Sequence, residues 1–194
     1  MNDFRVTGRE VAARAGFLEI DRLTITASTG IEHERHVVRH PGAVVVVPVD
    51  GHDALLVRQY RASVDRALLE VPAGKRDVAG EPPEETARRE LAEEIGMVPG
   101  RLQPIAEFYN TPGFCDEYTY LYAAFDLQSV GRREPQSPEE QAMTIERVPF
   151  ADVERLIAAT RIVDAKTIVG MLLTRSFLQG GYAGLDGGPR SPAP

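Results

Sequence analysis

The stretch GKRDVAGEPPEETARRELAEEIGM, residues 74–97, joins a glycine-containing loop to a strongly charged segment. Pro82 and Pro83 suit the first turn of a helix, because the backbone N–H that proline lacks has no partner there. Gly96 is a typical residue for ending a helix in a left-handed conformation. These signals predict a helix over residues 83–95.

Within this predicted helix, an acidic stripe runs directly beside an apolar stripe. With about 100° of rotation per residue, Glu90, Glu93 and Glu94 fall on one side, and Leu91 and Ile95 fall on the adjacent side. Glutamates three and four residues apart repel each other by roughly 0.2–0.5 kcal/mol per pair. The stripe is therefore either a solvated charged surface or a site that holds cations.

The residue types of the helix favour a hard cation over zinc. Carboxylate oxygens are the ligands that Mg²⁺ prefers, and the ion usually keeps several waters. The helix contains no histidine, and Cys115, the only cysteine of the chain, lies outside it. Typical zinc ligands are thus missing from the helix, and a bound ion there is predicted to be one such as Mg²⁺.

Composition limits the possible partners of the protein. The 194 residues, 43% of them hydrophobic, are enough for one domain with a substantial core. The 29 acidic and 22 basic residues give a net charge of −7, which argues against a nucleic-acid partner, since such surfaces need clustered Lys and Arg. A small anionic substrate is compatible with this balance, because a bound divalent cation reverses the local charge.

The sequence predicts a soluble cytoplasmic protein with no membrane partner. A single cysteine excludes an intrachain disulfide, which fits a reducing compartment. The N-terminus MNDFRVTGRE has no apolar signal core, and the longest apolar run, AVVVVPV, is far too short to span a bilayer.

Strands are predicted on both sides of the charged helix. Before it they fall in RLTITAS, HERHVVRH, AVVVVPV, ALLVRQYR and ALLEVPAG; after it they fall in LQPIAEFYNTP, YTYLYAAFDL and MTIERVPF. Further helices are predicted in FADVERLIAATRI and DAKTIVGMLLTRSFL. This order indicates an α+β protein with a mixed sheet packed between helices.

Nine residues of the opening stretch stand at spacings that are typical of one family. They are Gly74, Glu81, Arg89, Glu90, Leu91, Glu93, Glu94, Gly96 and Met97. The pattern resembles the box of the Nudix hydrolases, G-x5-E-x7-R-E-U-x-E-E-x-G-U, in which U is a bulky apolar residue. Its second half matches without a gap, whereas six residues instead of five separate Gly74 from Glu81. The resemblance covers about residues 35–175 and implies a Nudix fold, an α/β/α sandwich with a mixed β-sheet, preceded here by an N-terminal antiparallel strand region.

The resemblance also implies a reaction and a metal site. Members of this family hydrolyse the diphosphate of a nucleoside diphosphate linked to another group. Carried over to this chain, Mg²⁺ or Mn²⁺ would bind Glu90, Glu94 and the backbone carbonyl of Ala73. Glu93 would be a further or bridging ligand and a catalytic residue, and Arg89 would orient these carboxylates.

Similar enzymes place their catalytic base on a loop that follows the main sheet. In this chain the segment SPEEQAMTIE, residues 137–146, offers Glu139 and Glu140 for that role. The match to the apolar strand that follows favours Glu140.

Other segments resemble the ADP-ribose pyrophosphatase branch of the family. They are RQYR (58–61), ALLEVPAGKRDVAGEPPEE (67–85) and TPGFCDE (111–117). The resemblance implies hydrolysis of ADP-ribose to AMP and ribose 5-phosphate. It also implies substrate contacts from Arg39, Arg61, Glu70, Gly113 and Glu117, with Arg39 reaching the substrate from a partner subunit.

This resemblance sets the expected organisation of the chain and its alternatives. Residues 1–40 are expected to be strands exchanged in a homodimer and 41–179 the hydrolase domain. Residues 180–194 are rich in Gly and Pro, which predicts a disordered tail. Hydrolysis of another nucleoside diphosphate sugar, such as a GDP-sugar, is an alternative. So is a non-catalytic ADP-ribose sensor, although such sensors usually have a broken box or an added DNA-binding domain.

Overall fold

The computed structural model describes residues 3–131 and 137–185, and in that part of the chain it shows two compact units. The first comprises Met1–Gly42 and Phe108–Tyr118, and the second comprises Ala43–Glu107 and Thr119–Pro194. The expected boundary between residues 40 and 41 thus falls close to the end of the first segment. The structure adds residues 108–118 to the N-terminal unit, whereas the sequence assigned them to the hydrolase domain.

The first unit is an antiparallel sheet joined by a loop from later in the chain. Its strands β1 (Phe4–Ala15), β2 (Leu18–Ala27) and β3 (Glu32–Arg39) lie in that order. The loop of residues 111–117 lies beside the end of β3, where the Val38 N–H donates to the Phe114 carbonyl at 2.7 Å. The expected N-terminal strand region is therefore a sheet in its own right.

The second unit contains a mixed sheet. Its strands are β4 (Ala43–Asp50), β5 (Asp53–Arg61), β6 (Arg66–Glu70), β7 (Ala73–Lys75), β8 (Met97–Tyr109), β9 (Tyr118–Ser129) and β10 (Thr144–Pro149). They lie in the order β10-β5-β4-β9-β8, with β6 paired to β5 and β7 paired to β4. Because β4 is parallel to β9 but antiparallel to β5 and β7, the sheet is mixed, as the sequence predicted.

Helices cover both faces of this sheet. The helices of the unit are α1 (Pro83–Ile95), α2 (Pro138–Ala142), α3 (Val153–Ala158) and α4 (Ala165–Leu178). Helix α1 packs on β4 and β7, and α4 packs on β4 and β6. Residues 44–47 of β4 are completely buried, and since successive side chains point to opposite faces, both faces must be covered. The α/β/α sandwich is confirmed.

Most predicted helix bounds agree with the structure. Helix α1 has the predicted limits, and Gly96 ends it with a φ of 67°. The segment FADVERLIAATRI forms a 3₁₀ turn, Phe150–Asp152, followed by the short α3, so its α-helix is shorter than predicted. Among the helices of residues 3–131 and 137–185, none has the length and apolarity needed to cross a bilayer.

The described start of the C-terminal segment is fixed to the second unit. The Tyr182 hydroxyl donates to the Ile105 carbonyl at 2.6 Å, and the Leu185 N–H donates to the Pro104 carbonyl at 3.1 Å. The predicted disorder therefore does not apply to residues 180–185. Residues 186–194, the rest of the predicted tail, lie outside the described residues.

Candidate active site

The connection from β6 through β7 to α1 brings a glycine against a glutamate. A Cβ atom placed on Gly74 would lie 1.8 Å from Cδ of Glu90. Real side chains do not approach so closely, so any other residue at position 74 would displace the Glu90 carboxylate. The requirement for glycine here comes from this close approach to the acidic helix.

Arg89 links several carboxylates of the site. Its Nη1 donates to Glu90 Oε1 at 2.6 Å and lies 3.6 Å from Glu93 Oε2. Its Nε and Nη2 each donate to Glu81 at 3.2 Å, and Thr86 Oγ1 also donates to Glu81, at 2.7 Å. The bonds to Glu81, and then the charge and hydrogen bond of Glu90, raise the pKa of Arg89. Arg89 thus contacts Glu90, Glu93 and Glu81, and its predicted role in orienting the metal ligands stays a prediction.

Glu94 lies one helical turn after Glu90 on α1. Its Oε2 accepts a hydrogen bond from the Ala73 N–H at 3.2 Å. The residue as a whole keeps an intermediate exposure, but its carboxylate is closely surrounded by protein. This burial, and then the neighbouring Glu90, raise the pKa of Glu94 to about 8.

Glu90 has similar surroundings. Burial raises its pKa, against the opposite effect of Arg89, which lowers it. The side chain of Glu90 is 12% exposed, compared with 33% for Glu93. Glu90 and Glu94 are therefore two adjacent carboxylates whose charged forms are disfavoured in the absence of additional positive charge.

The residues around Glu90 and Glu94 fit an ion such as Mg²⁺, which takes only some of its ligands from the protein. They do not fit an ion that needs side chains for all of its ligands. Within the described residues, no three histidine, cysteine, aspartate or glutamate side chains are grouped to hold a cation by themselves. Mg²⁺ commonly binds through one or two carboxylates and completes its shell with waters and substrate oxygens. Glu90 and Glu94 match that donor set, with Glu93 more exposed beside them and the backbone of Ala73 adjacent to Glu94.

An ion pair between a partly exposed arginine and a buried glutamate lies within electrostatic reach of the acidic helix. Arg61 Nε and Nη2 donate to the two carboxylate oxygens of Glu70 at 2.9 and 2.6 Å. Glu70 is 1% exposed, whereas Arg61 remains 38% exposed. The bonds to Glu70, and then the charges of Glu94 and Asp164, raise the pKa of Arg61. Arg61 thus presents an accessible guanidinium within the electrostatic reach of Glu94.

The remaining predicted substrate residues belong to the first unit. Arg39 Nε donates to Asp21 Oδ2 at 2.6 Å, and its Nη1 donates to Asp116 Oδ2 at 2.9 Å. Gly113 and Glu117 lie in the loop of residues 111–117, where the Glu117 carbonyl accepts from the Asn110 N–H at 3.2 Å. The structure therefore brings Arg39 together with carboxylates of its own chain, and its predicted role across a dimer stays a prediction.

The two candidate bases lie on the short helix α2. Glu139 and Glu140 are both exposed, and the Glu140 N–H donates to the Ser137 hydroxyl at 3.1 Å. This cap fixes the first turn of α2, which packs against β5. The preceding residues 132–136 lie outside the described residues.

The structure also shows contacts that sequence reasoning missed. Asp164 caps α4, where its Oδ2 accepts from the Thr167 N–H at 2.9 Å. Thr167 Oγ1 in turn accepts from the Val71 N–H at 3.0 Å. Asp164, the first residue of the predicted helix segment DAKTIVGMLLTRSFL, was a recognisable N-cap signal, but no sequence signal connects Thr167 to Val71.

Comparison with known proteins gives a consistent result. The family model for the NUDIX domain matches residues 38–168. The ADP-ribose pyrophosphatase of Mycobacterium tuberculosis (strain ATCC 25618 / H37Rv) is 36% identical over 180 residues, which cover 92% of this chain and 86% of that protein. The ADP-ribose pyrophosphatase of Bacillus subtilis (strain 168) is 38% identical over 139 residues, or 71% of this chain and 74% of that protein.

A solved structure shares the fold. The crystal structure of an ADP compounds hydrolase superposes with a TM-score of 0.83 at 24% sequence identity, and the match covers 93% of this chain and 96% of that chain. The matched family model spans the acidic helix, the Arg61–Glu70 pair and α2. The chain therefore belongs to the NUDIX domain family.

Proposed function

We propose that this protein is a divalent-metal-dependent pyrophosphatase that hydrolyses ADP-ribose to AMP and ribose 5-phosphate. The observation that carries the proposal is the pair of partly buried carboxylates, Glu90 and Glu94, on a helix that the NUDIX family model covers. The choice of ADP-ribose rests on the names of the two relatives, which match most of this chain.

The metal would be held by Glu90, Glu94 and the Ala73 carbonyl, with Glu93 as a further ligand. When bound, Mg²⁺ or Mn²⁺ neutralises the diphosphate and lowers the pKa of a coordinated water. Arg89 keeps the Glu90 carboxylate in place through its 2.6 Å hydrogen bond. Gly74 leaves that carboxylate the space it occupies.

Other residues would bind the substrate and move the proton. Arg61, pre-oriented by the buried Glu70, is available to an anionic substrate group, and Glu140 would accept the proton of the attacking water. Arg39, Gly113 and Glu117 are further proposed substrate contacts, and we propose a cytoplasmic homodimer in which residues 1–40 are exchanged. One water is consumed for each diphosphate bond cleaved, and the products are two phosphomonoesters.

The substrate is tested with a panel of nucleotide conjugates. ADP-ribose, GDP-mannose and NAD⁺ are incubated with the purified protein, with Mg²⁺ or with EDTA, and the products are identified by mass spectrometry. We expect AMP and ribose 5-phosphate from ADP-ribose only when Mg²⁺ is present. Preferential cleavage of GDP-mannose would assign the chain to GDP-sugars, and tight binding of ADP-ribose without cleavage would make it a sensor.

The metal assignment is tested with Glu94→Gln. We expect turnover to fall at least about 100-fold, because the loss of even an outer partner of a metal ligand typically costs 10–100-fold. Glu85→Gln, which changes an exposed glutamate of the same helix, is the matched control and should keep wild-type turnover. Wild-type turnover in Glu94→Gln would contradict the assignment.

A further inference from the structure

The connection between β6 and β7 is the point where the chain changes its pairing partner. Glu70, the last residue of β6, lies opposite Val57 of β5. Ala73, the first residue of β7, lies opposite Val45 of β4. A backbone that leaves one ladder before joining another needs partners for its polar groups from elsewhere.

Side chains of two helices provide partners for the N–H groups at this point. The Val71 N–H donates to Thr167 Oγ1 of α4 at 3.0 Å, and the Ala73 N–H donates to Glu94 Oε2 of α1 at 3.2 Å. Pro72 between them has no N–H, and its carbonyl accepts from the Val46 N–H at 2.9 Å. The connection is therefore tied to α4 at one end and to α1 at the other.

The hydroxyl of Thr167 is itself held in one orientation. It donates to Asp164 Oδ2 at 2.8 Å, and the other carboxylate oxygen of Asp164 accepts from Lys166 Nζ at 2.6 Å. A threonine hydroxyl has a single proton to donate, so its lone pairs are left to accept from Val71. Thr167 is completely buried, which leaves little room for water to replace this bond.

We propose that Asp164 and Thr167 hold the backbone of Val71 in place and thereby set the position of Glu70 relative to Glu94. We call these two residues the relay. The relay rests on the proposed function, in which Glu70 orients the substrate-binding Arg61 and Glu94 binds the metal. Glu70 and Ala73 are separated only by Val71 and Pro72, so a shift at Val71 moves the backbone on both sides of it. Neither Asp164 nor Thr167 needs to touch the substrate.

Helix α4 also offers an internal control. Thr174 is completely buried like Thr167, but its hydroxyl has no hydrogen-bond partner among the described residues. Thr167→Val and Thr174→Val therefore make the same chemical change at two buried positions of one helix. In the first, the N–H of Val71 loses its acceptor; in the second, no bond is lost.

The experiment compares Thr167→Val, Thr167→Ser and Thr174→Val in the full-length chain. KM and kcat for ADP-ribose are measured with Mg²⁺, Mn²⁺ binding by electron paramagnetic resonance, and Val71 amide exchange by NMR. For Thr167→Val we expect about a 10-fold higher KM and about 10-fold weaker Mn²⁺ binding, typical of losing a partner behind a metal ligand. Its Val71 amide should exchange faster, while Thr167→Ser and Thr174→Val stay close to the wild type.

Several outcomes would overturn the relay. One is a folded Thr167→Val with wild-type KM, Mn²⁺ binding and Val71 exchange; another is an equal loss in Thr174→Val. A fall in kcat alone, from fewer folded molecules, would also contradict it, because a structural defect does not change the KM of the molecules that remain folded.

A second variant serves if Thr167→Val does not fold. Asp164→Asn keeps an oxygen to cap α4 but weakens the acceptor for the Thr167 hydroxyl, so we expect smaller changes in the same directions. Unchanged KM, Mn²⁺ binding and Val71 exchange in a folded Asp164→Asn would reject the relay. If the wild type cleaves no substrate of the panel, the proposed function fails, whereas Mn²⁺ binding and Val71 exchange still decide the relay.

Discussion

Glu90 and Glu94 occupy surroundings that disfavour negative charge. Burial raises the pKa of both groups; Glu90 further raises the pKa of Glu94, and Glu93 further raises that of Glu90. Arg89 compensates only in part, since its guanidinium is shared between Glu90, Glu93 and Glu81. At the scale of single residues, a bound cation would therefore stabilise the charged forms of Glu90 and Glu94.

The first residue-scale prediction concerns pH. Without metal, burial and Glu90 raise the pKa of Glu94 to about 8 from an ordinary 4.5, so the folded chain binds this proton more tightly than the unfolded chain. The resulting stabilisation is complete below about pH 4.5 and is lost as the pH rises through about 8. In EDTA, we expect this contribution to lower the free energy of unfolding, measured with urea, from about pH 5 to pH 8 and to level off above that. Glu94→Gln cannot ionise and should give a shallower decline; parallel curves for the two proteins would contradict this cause.

The second residue-scale prediction concerns the contact between Gly74 and Glu90. A Cβ at position 74 would overlap the Glu90 carboxylate, so Gly74→Ala should lower both stability and Mg²⁺-dependent turnover. Glu90→Ala removes the group that the Cβ would meet. We therefore expect the stability cost of Gly74→Ala, from urea unfolding in EDTA, to disappear in the Glu90→Ala background. Additive costs in the double variant would show that the strain lies elsewhere.

At the scale of elements, local signals predicted some structures well. Pro83 and Gly96 set the limits of α1, and both signals act within one turn of the positions they define. The mixed sheet was predictable because many strands with few helices follow one another along the chain, an order that favours an α+β protein. The end of α3 was not predicted, because the chain turns at Thr160, whose φ of 54° is uncommon for a residue with a branched side chain.

An element-scale prediction concerns α2. Its first turn is capped by Ser137 and carries Glu139 and Glu140 as neighbours. If Glu140 is the base, Glu140→Gln should lower kcat about 10²–10⁴-fold and leave Mn²⁺ binding unchanged. Glu139→Gln is the matched control, with the same change one position earlier. A loss of kcat in Glu139→Gln alone would assign the base to that residue instead.

At the scale of the whole molecule, contacts between distant parts of the chain were not predictable from sequence. Thr167 and Val71 are 96 residues apart, and neither residue type signals the other. The same applies to residues 111–117, whose pairing with Val38 places them in the N-terminal unit. Local patterns indicate which elements form, whereas only the assembled fold shows which backbone groups those elements leave for a distant side chain.

A whole-molecule prediction concerns the homodimer that we propose. The first unit exposes large apolar side chains, including Phe4 at 54%, Val6 at 58% and Ile31 at 67%, which is the kind of surface that subunit contacts cover. We expect sedimentation velocity to show a dimer for the wild type and a shift towards monomer for Val6→Glu. Val64→Glu, at a position of the second unit that is 51% exposed, is the control and should stay dimeric. A monomeric wild type would contradict the exchange of residues 1–40.

The hydrogen bonds of Tyr182 and Leu185 to β8 have a practical consequence for protein engineering. Truncation after residue 179, where the predicted tail begins, would strip the Ile105 and Pro104 carbonyls of their donors. An affinity tag attached at that point would also compete for the strand on which the segment lies. Cleavable tags and trimmed versions for crystallisation should therefore leave the chain intact through Leu185.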